Sequence, residues 1–263
     1  MPTAIGFRNY AKTGSWLAPS ESSALPASNL ASDICAPSLG FQSRTGLVTN
    51  VVIRVTSAVP GLPWRLFGLF RTNLTPSATI NVGTWVSVGT AAPTVTWQTN
   101  VTGPAAGYGQ IIAVAPTTQT ANFMQFTISD PTNPDGFISA GGLYAGPGWF
   151  PLTGISYESS VGRVEQIRRT QTRGGQEYAR LMWSQRRWNI AFDGVRASEV
   201  WAEVDALRLQ ARTGTNVLFI PDTAASDIKQ AAVFGMLSEA ADITYPARGA
   251  DRRAWRAQIT ERL

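Results

Sequence analysis

The residues able to do chemistry in this chain are few, and their types narrow the choices quickly. The sequence contains no histidine. That removes the usual general base near neutral pH, any Ser-His-Asp or Cys-His nucleophile, and every imidazole metal site. One cysteine, Cys35, is present. A lone thiol forms neither an internal disulfide nor a metal cluster within one chain, and reads as a small buried apolar residue. Carboxylates are the remaining acid–base groups. Glu199, Glu203 and Asp205 fall on a helical pattern, on or beside its solvent face. Asp130 and Asp135 flank the turn-like phrase DPTNPD. No phosphate-binding loop, dinucleotide fingerprint, EF-hand or nucleophile elbow occurs. The sequence therefore implies no catalytic residues, no cofactor and no metal, and the chain is expected not to be an enzyme.

Two other patterns carry candidate binding chemistry. VGRVEQIRRTQTRGG at 161–175 contains an Arg-Gly-Gly phrase, but only once, between strand-like patterns. It reads as an exposed strand entering a hairpin loop at Gly174–Gly175. MWSQRRWNIAF at 182–192 interleaves aromatics with arginine. Such a surface can stack bases or sugars. Alternatively Trp183, Trp188, Ile190 and Phe192 serve core or subunit contacts, with Arg186 and Arg187 at a turn. The chain carries 20 Arg, 2 Lys and a net charge of +5. No block of 5–8 basic residues occurs, so specific nucleic-acid binding is not expected. No apolar run reaches the roughly 20 residues of a membrane helix, and the N-terminus lacks a signal-peptide core, so membrane insertion is not expected either.

The elements that would position these groups follow from periodicity. Residues 1–150 hold 10 charged side chains and residues 151–263 hold 29. A shift of that size indicates two domains, 1–145 and 146–263, joined through the Gly/Pro/aromatic stretch 141–154. The first domain reads as short strands at 51–59, 64–70, 78–89, 109–116 and 122–130. Their faces are expected to be Trp64, Leu66 and Gly68; Ile80, Val82 and Thr84; and Met124, Phe126 and Ile128. Such strands suit an antiparallel sandwich. The second domain reads as α+β. Its helix has Ser198 as N-cap, an apolar face of Val200, Trp201, Val204, Leu207 and Ala211, and a stop at Gly214. Strands are expected at 177–183, 186–192, 216–222, 231–237 and 255–263.

Two stretches resemble tail-tip proteins of long-tailed bacteriophages. In residues 9–33 and 69–85 the matching positions are Leu25, Pro26, Asn29 and Leu30, then Asn73, Leu74 and Ala78. This is similar to their N-terminal domain, a galactose-binding-like jelly-roll sandwich. The family's tryptophan-containing phrase is replaced here by CAPSLGFQSRTG. Residues from 143 through RRTQTRGGQEYAR, the helix, VLFIPD and VFGMLS resemble the hub domain of distal tail and minor tail proteins. The resemblance implies a structural ring or hub, a hexamer or trimer, joining the tail tube to a host-binding baseplate in the virion. Its partners would be tube and hub proteins and host glycans. An excess of Arg suits bidentate ion pairs at such contacts. A second hypothesis makes residues 1–145 a carbohydrate-binding module using Trp85, Trp97 and Tyr108. A third, a cell-wall hydrolase, needs a carboxylate pair. The charge and tryptophan content of residues 151–263 place self-assembly there, with 1–145 monomeric.

Overall fold

The computed structural model describes residues 2–87, 92–105, 108–245 and 251–262. About 50% of the chain is strand and 12% helix. It divides into two compact units: Met1–Phe150 with Leu218–Ala232, and Pro151–Val217 with Val233–Leu263.

Unit 1 is built from β1 (Ala4–Gly6), β2 (Ser15–Leu17), β3 (Phe41–Gln42), β4 (Val51–Thr56) and β5 (Leu62–Phe70). These are followed by β6 (Thr79–Val86), β7 (Thr94–Thr102), β8 (Ile111–Ala121), β9 (Phe123–Ser129), β10 (Ser139–Ala140) and β11 (Gly142–Gly146). A five-stranded sheet, order β2-β4-β9-β6-β7, faces a three-stranded sheet, order β11-β5-β8, and β3 pairs with β10. The alternation that predicted strands decides which side is buried. Val51, Ile53 and Val55, Met124, Phe126 and Ile128, and Ile80 and Val82 all enter one core. From the smaller sheet that core receives Trp64, Phe67, Leu69, Ile111, Ala113, Leu143 and Ala145. This is a β-sandwich, and its smaller sheet is buried on both faces, since Leu66, Ile112 and Tyr144 are buried on the side away from this core.

The expected face of β5 is corrected by a β-bulge. Pairing with β8 shifts register between Trp64 and Leu66. There one residue of β5, Arg65, stands opposite four of β8, residues 115–118, and the inward phase of β5 changes across the irregularity. Phe67 and Leu69 therefore join Trp64 in the sandwich core, while Leu66, also fully buried, packs on the opposite side of the sheet. The Trp64 indole still finds a partner, donating to the Ala121 carbonyl at 3.0 Å. Val88 and Gly89, at the end of the predicted 78–89 strand, lie outside the described residues.

Unit 2 contains β12 (Ser160–Gln171) and β13 (Glu177–Arg196), then a helix α1 over 197–211. The strand β14 (Asn216–Ile220) and the short helix α2 (Ile228–Ala231) follow, then β15 (Val233–Ala240) and β16 (Arg252–Glu261). α2 belongs to unit 1, and β14 straddles the division of the chain. Its residues Leu218–Ile220 belong to unit 1, where they pair antiparallel with β1, Ile5 opposite Phe219. In unit 2 the strand order is β15-β16-β13-β12, all antiparallel. Phe192 and Trp255, stacked with centroids 5.9 Å apart, anchor the buried face.

Two expectations in unit 2 are revised. The sequence suggested separate strands at 177–183 and 186–192 with Arg186 and Arg187 at a turn. Instead β13 runs unbroken through both, with only a bulge where β12 shifts between Gln166 and Ile167. Arg186 is buried in mid-strand, and its Nε donates to Glu261 at 3.0 Å. A buried ion pair lets a charged residue sit where the pattern alone suggested a turn. The helix also departs. It begins at Ala197, and Glu199 caps it by accepting the Arg196 amide at 3.2 Å, so Ser198 lies in its first turn. Its middle, Val200–Val204, is a π-turn. Val200, Val204, Leu207 and Ala211 are buried as expected, but Trp201 is 67% exposed. Trp201 sits about 100° around the helix from Val200, off the face that packs.

Candidate functional site

Three of the candidate carboxylates hold backbone or side-chain groups in place. Asp130 is fully buried and accepts from the Thr75 amide at 2.8 Å, Thr75 Oγ1 at 2.6 Å and Asn133 Nδ2 at 3.2 Å. Asp135 is exposed and accepts from Asn73 Nδ2 at 2.8 Å. Both carboxylates tie loops together. Glu199 is the helix cap just described, and Glu203 and Asp205 are half-buried on the same helix. Cys35 is buried, with a left-handed backbone at φ +55°.

Two of the aromatics proposed for sugar stacking are also committed to packing. Trp97 stacks on the core residue Phe67, centroids 5.3 Å apart. Trp85 stacks on Phe123 at 5.5 Å, and the Arg54 guanidinium sits 4.4 Å from the centre of the Phe123 ring. The third, Tyr108, is placed differently. It lines a cleft of about 430 Å³ among the loops of unit 1, with Arg71, Thr72, Asn73, Pro104 and Ser139.

That cleft is assembled by turns. After β5 the chain reverses at Arg71, which adopts φ +58°, a left-handed conformation few side chains tolerate. Gly109, at φ +55°, lets the loop after β7 approach closely, since a Cβ there would sit 2.9 Å from the Thr72 carbonyl. Thr72 then donates its amide to the Gly109 carbonyl at 2.8 Å. Asn73 is a rigid strut: its Nδ2 also reaches the Phe137 carbonyl at 2.8 Å and its Oδ1 receives the Ser139 amide at 2.8 Å. With these groups satisfied, the Arg71 guanidinium is the one with spare capacity. Among the described residues it has no hydrogen-bond or ion-pair partner. The cleft offers a ring, hydroxyls and a cationic fork, and none of its described lining residues is a carboxylate.

Two other concavities compare poorly as ligand sites. A groove of about 320 Å³ on the outer face of the five-stranded sheet carries Thr79, Asn81, Asn100 and Thr127. Asn81 and Asn100 bind each other there at 2.8 Å. A depression of about 640 Å³ in unit 2 contains Glu158, Asn189, Arg256 and Gln258. Its polar groups are mutually paired, Arg256 with Glu158 and Gln258 with Asn189 at 2.9 Å. Sequence reasoning reached Tyr108 but not Arg71. A left-handed φ and an unused guanidinium leave no periodic trace in a sequence.

No protein-family model matches the chain, and no curated protein matches it. Solved structures similar to it include three carbohydrate-related modules. One is the family 32 carbohydrate-binding module of NanJ from C. perfringens in complex with galactose, at 11% identity. It covers 54% of this chain and 98% of its own, with a TM-score of 0.40. Another is chitosan-binding module 1 of a chitosanase/glucanase from Paenibacillus sp. IK-5, at 19% identity, 53% and 99% coverage and a TM-score of 0.39. The third is the module CBM32-1 of a family 31 glycoside hydrolase from Clostridium perfringens, at 13%, 54% and 99%, with a TM-score of 0.40. At such TM-scores the function has to be read from the cleft.

Proposed function

We propose that unit 1 is a carbohydrate-binding module and that the cleft beside Arg71 holds the sugar. The observation that carries the reading is that one cleft is lined by both the Tyr108 ring and Arg71, whose guanidinium has no partner among the described residues, with no carboxylate among the described lining residues. A sugar ring presents an apolar C–H face suited to an aromatic and a rim of hydroxyls suited to Arg and Thr donors. The rigid Asn73 strut supports preorganised binding, in which little entropy is lost on loop ordering. A glycan array followed by calorimetry on the full chain tests this. Arg71→Gly removes the guanidinium while relaxing the left-handed backbone, so the fold persists. Tyr108→Ala removes the ring. Each is expected to weaken the best glycan by about tenfold or more. An array without binding, or full affinity in both variants, overturns the reading.

A second reading keeps unit 2 as an assembly module of a phage tail tip, in a ring or hub. It is supported by the exposed apolar side chains of the β12–β13 ribbon, among them Tyr178, Leu181, Met182 and Trp183. A lone two-stranded ribbon is marginally stable in water, and such residues suit a covered surface. Detection of the chain at the tail end of purified virions supports it; a chain absent from virions removes it.

A further inference from the structure

β12 ends its sheet. Only β13 lies beside it, and among the described residues no backbone group pairs with its outer edge. Exposed edges of this length are normally blunted or paired, because a free row of amides and carbonyls recruits another strand. Val161 and Ile167 on it are 59% and 46% exposed. Between residues 160 and 183 the ribbon holds five arginines and two glutamates, so a copy laid on it in an arbitrary register meets like charges.

The register centred on Val164 avoids this and also sets opposite charges face to face. Because side chains alternate, Val161, Arg163, Glu165 and Ile167 share a face. Read outward from Val164, that face is the same in both directions by character: charge then apolar, with opposite charges on the two sides. We propose that β12 is a self-complementary interface and that its occupant is β12 of a second copy of this chain. The two strands run antiparallel about a twofold axis through Val164. Arg163 then faces Glu165 of the other copy twice, Val161 faces Ile167 twice, and Gly162 faces Gln166. Within one copy Arg163 and Glu165 share only the Ser184 hydroxyl, at 3.2 and 3.1 Å, and keep capacity for a partner. An axis at Glu165 sets two carboxylates together, and one at Gln166 opposes Arg163 to Arg169. An axis at Ile167 needs Arg169, which already lies 3.4 Å from Glu177. A twofold edge contact is isologous and closes at two copies.

The full chain tests this by light scattering and sedimentation. Wild type is expected to dimerise. Arg163→Glu alone and Glu165→Arg alone each place like charges together twice and weaken association by about tenfold or more. Mixing the two variants forms a heterodimer, and combining both changes in one chain restores the homodimer. Val164→Cys, with buried Cys35 retained, is expected to cross-link two copies by a disulfide, which directly opposed strand positions permit. A wild type that stays monomeric at every concentration overturns the proposal. So does self-association indifferent to the charge reversals, or cross-linking through Ile167→Cys in place of Val164→Cys.

Discussion

At the scale of single residues, two buried polar groups carry measurable consequences. Asp130 is fully buried with at least three donors aimed at it. Truncation to alanine strands the Thr75 amide and the Asn133 side chain, and losing such charge-assisted bonds costs about 2–3 kcal/mol. Urea denaturation of Asp130→Ala is expected to show a lower midpoint with an unchanged slope. Tyr144 is fully buried, donates its hydroxyl to the Pro147 carbonyl at 2.7 Å, and burial pushes it well above its ordinary pKa of 10.0. A folded-state pKa raised above the unfolded one gives stability that is complete below pH 10 and lost above it. Above pH 10 the unfolded chain ionises while the buried phenol cannot, at up to about 1.4 kcal/mol per pH unit. Tyr144→Phe is expected to lower stability at neutral pH by about 1 kcal/mol and to flatten that alkaline decline. Thermal melts across pH 8–11 read both effects.

At the scale of elements, the bulges and the end of β16 decide which side chains meet. Beyond the register shift between β5 and β8, Phe67 and Leu69 turn inward, where Phe67 meets Trp97. Arg186 in β13 binds Glu261 at the end of β16, through its amide at 3.1 Å as well as its guanidinium. Breaking one partner of a buried pair strands the other charge, at about 3–5 kcal/mol. Glu261→Ala is therefore expected to destabilise unit 2 strongly and to raise hydrogen exchange along β16. The double change Arg186→Met, Glu261→Met is expected to recover much of the loss, because it leaves no orphaned charge. The Cβ that Gly83→Ala adds meets the Trp97 carbonyl at 2.9 Å and Trp85 at 2.6 Å, and is expected to cost about 1–3 kcal/mol.

At the scale of the whole chain, the segment 218–232 belongs with the residues that begin the sequence. β1 pairs with β14, Thr3 donates to the Pro221 carbonyl at 2.9 Å, and Lys229 caps the end of β7 by donating to the Thr102 carbonyl at 2.6 Å. A fragment of residues 1–150 alone would expose Ile5 and leave β1 without its partner strand. It is expected to unfold at lower urea than the same fragment with 218–232 linked to its end. Much of this protein was legible in its sequence, because period-two alternation depends only on which face of a strand is dry. That pattern located β4, β6 and β9, the paired glycines marked the hairpin at Gly174–Gly175, and helical spacing gave the buried face of α1 apart from Trp201. The absence of histidine removed whole classes of chemistry. Tertiary structure alone decided the rest, since it depends on neighbours distant along the chain. Glu261 turned Arg186 from a turn residue into a buried one, and Phe123 and Phe67 took up Trp85 and Trp97. A left-handed turn beside Gly141 brought Arg71, without a side-chain partner among the described residues, into the cleft that Tyr108 also lines.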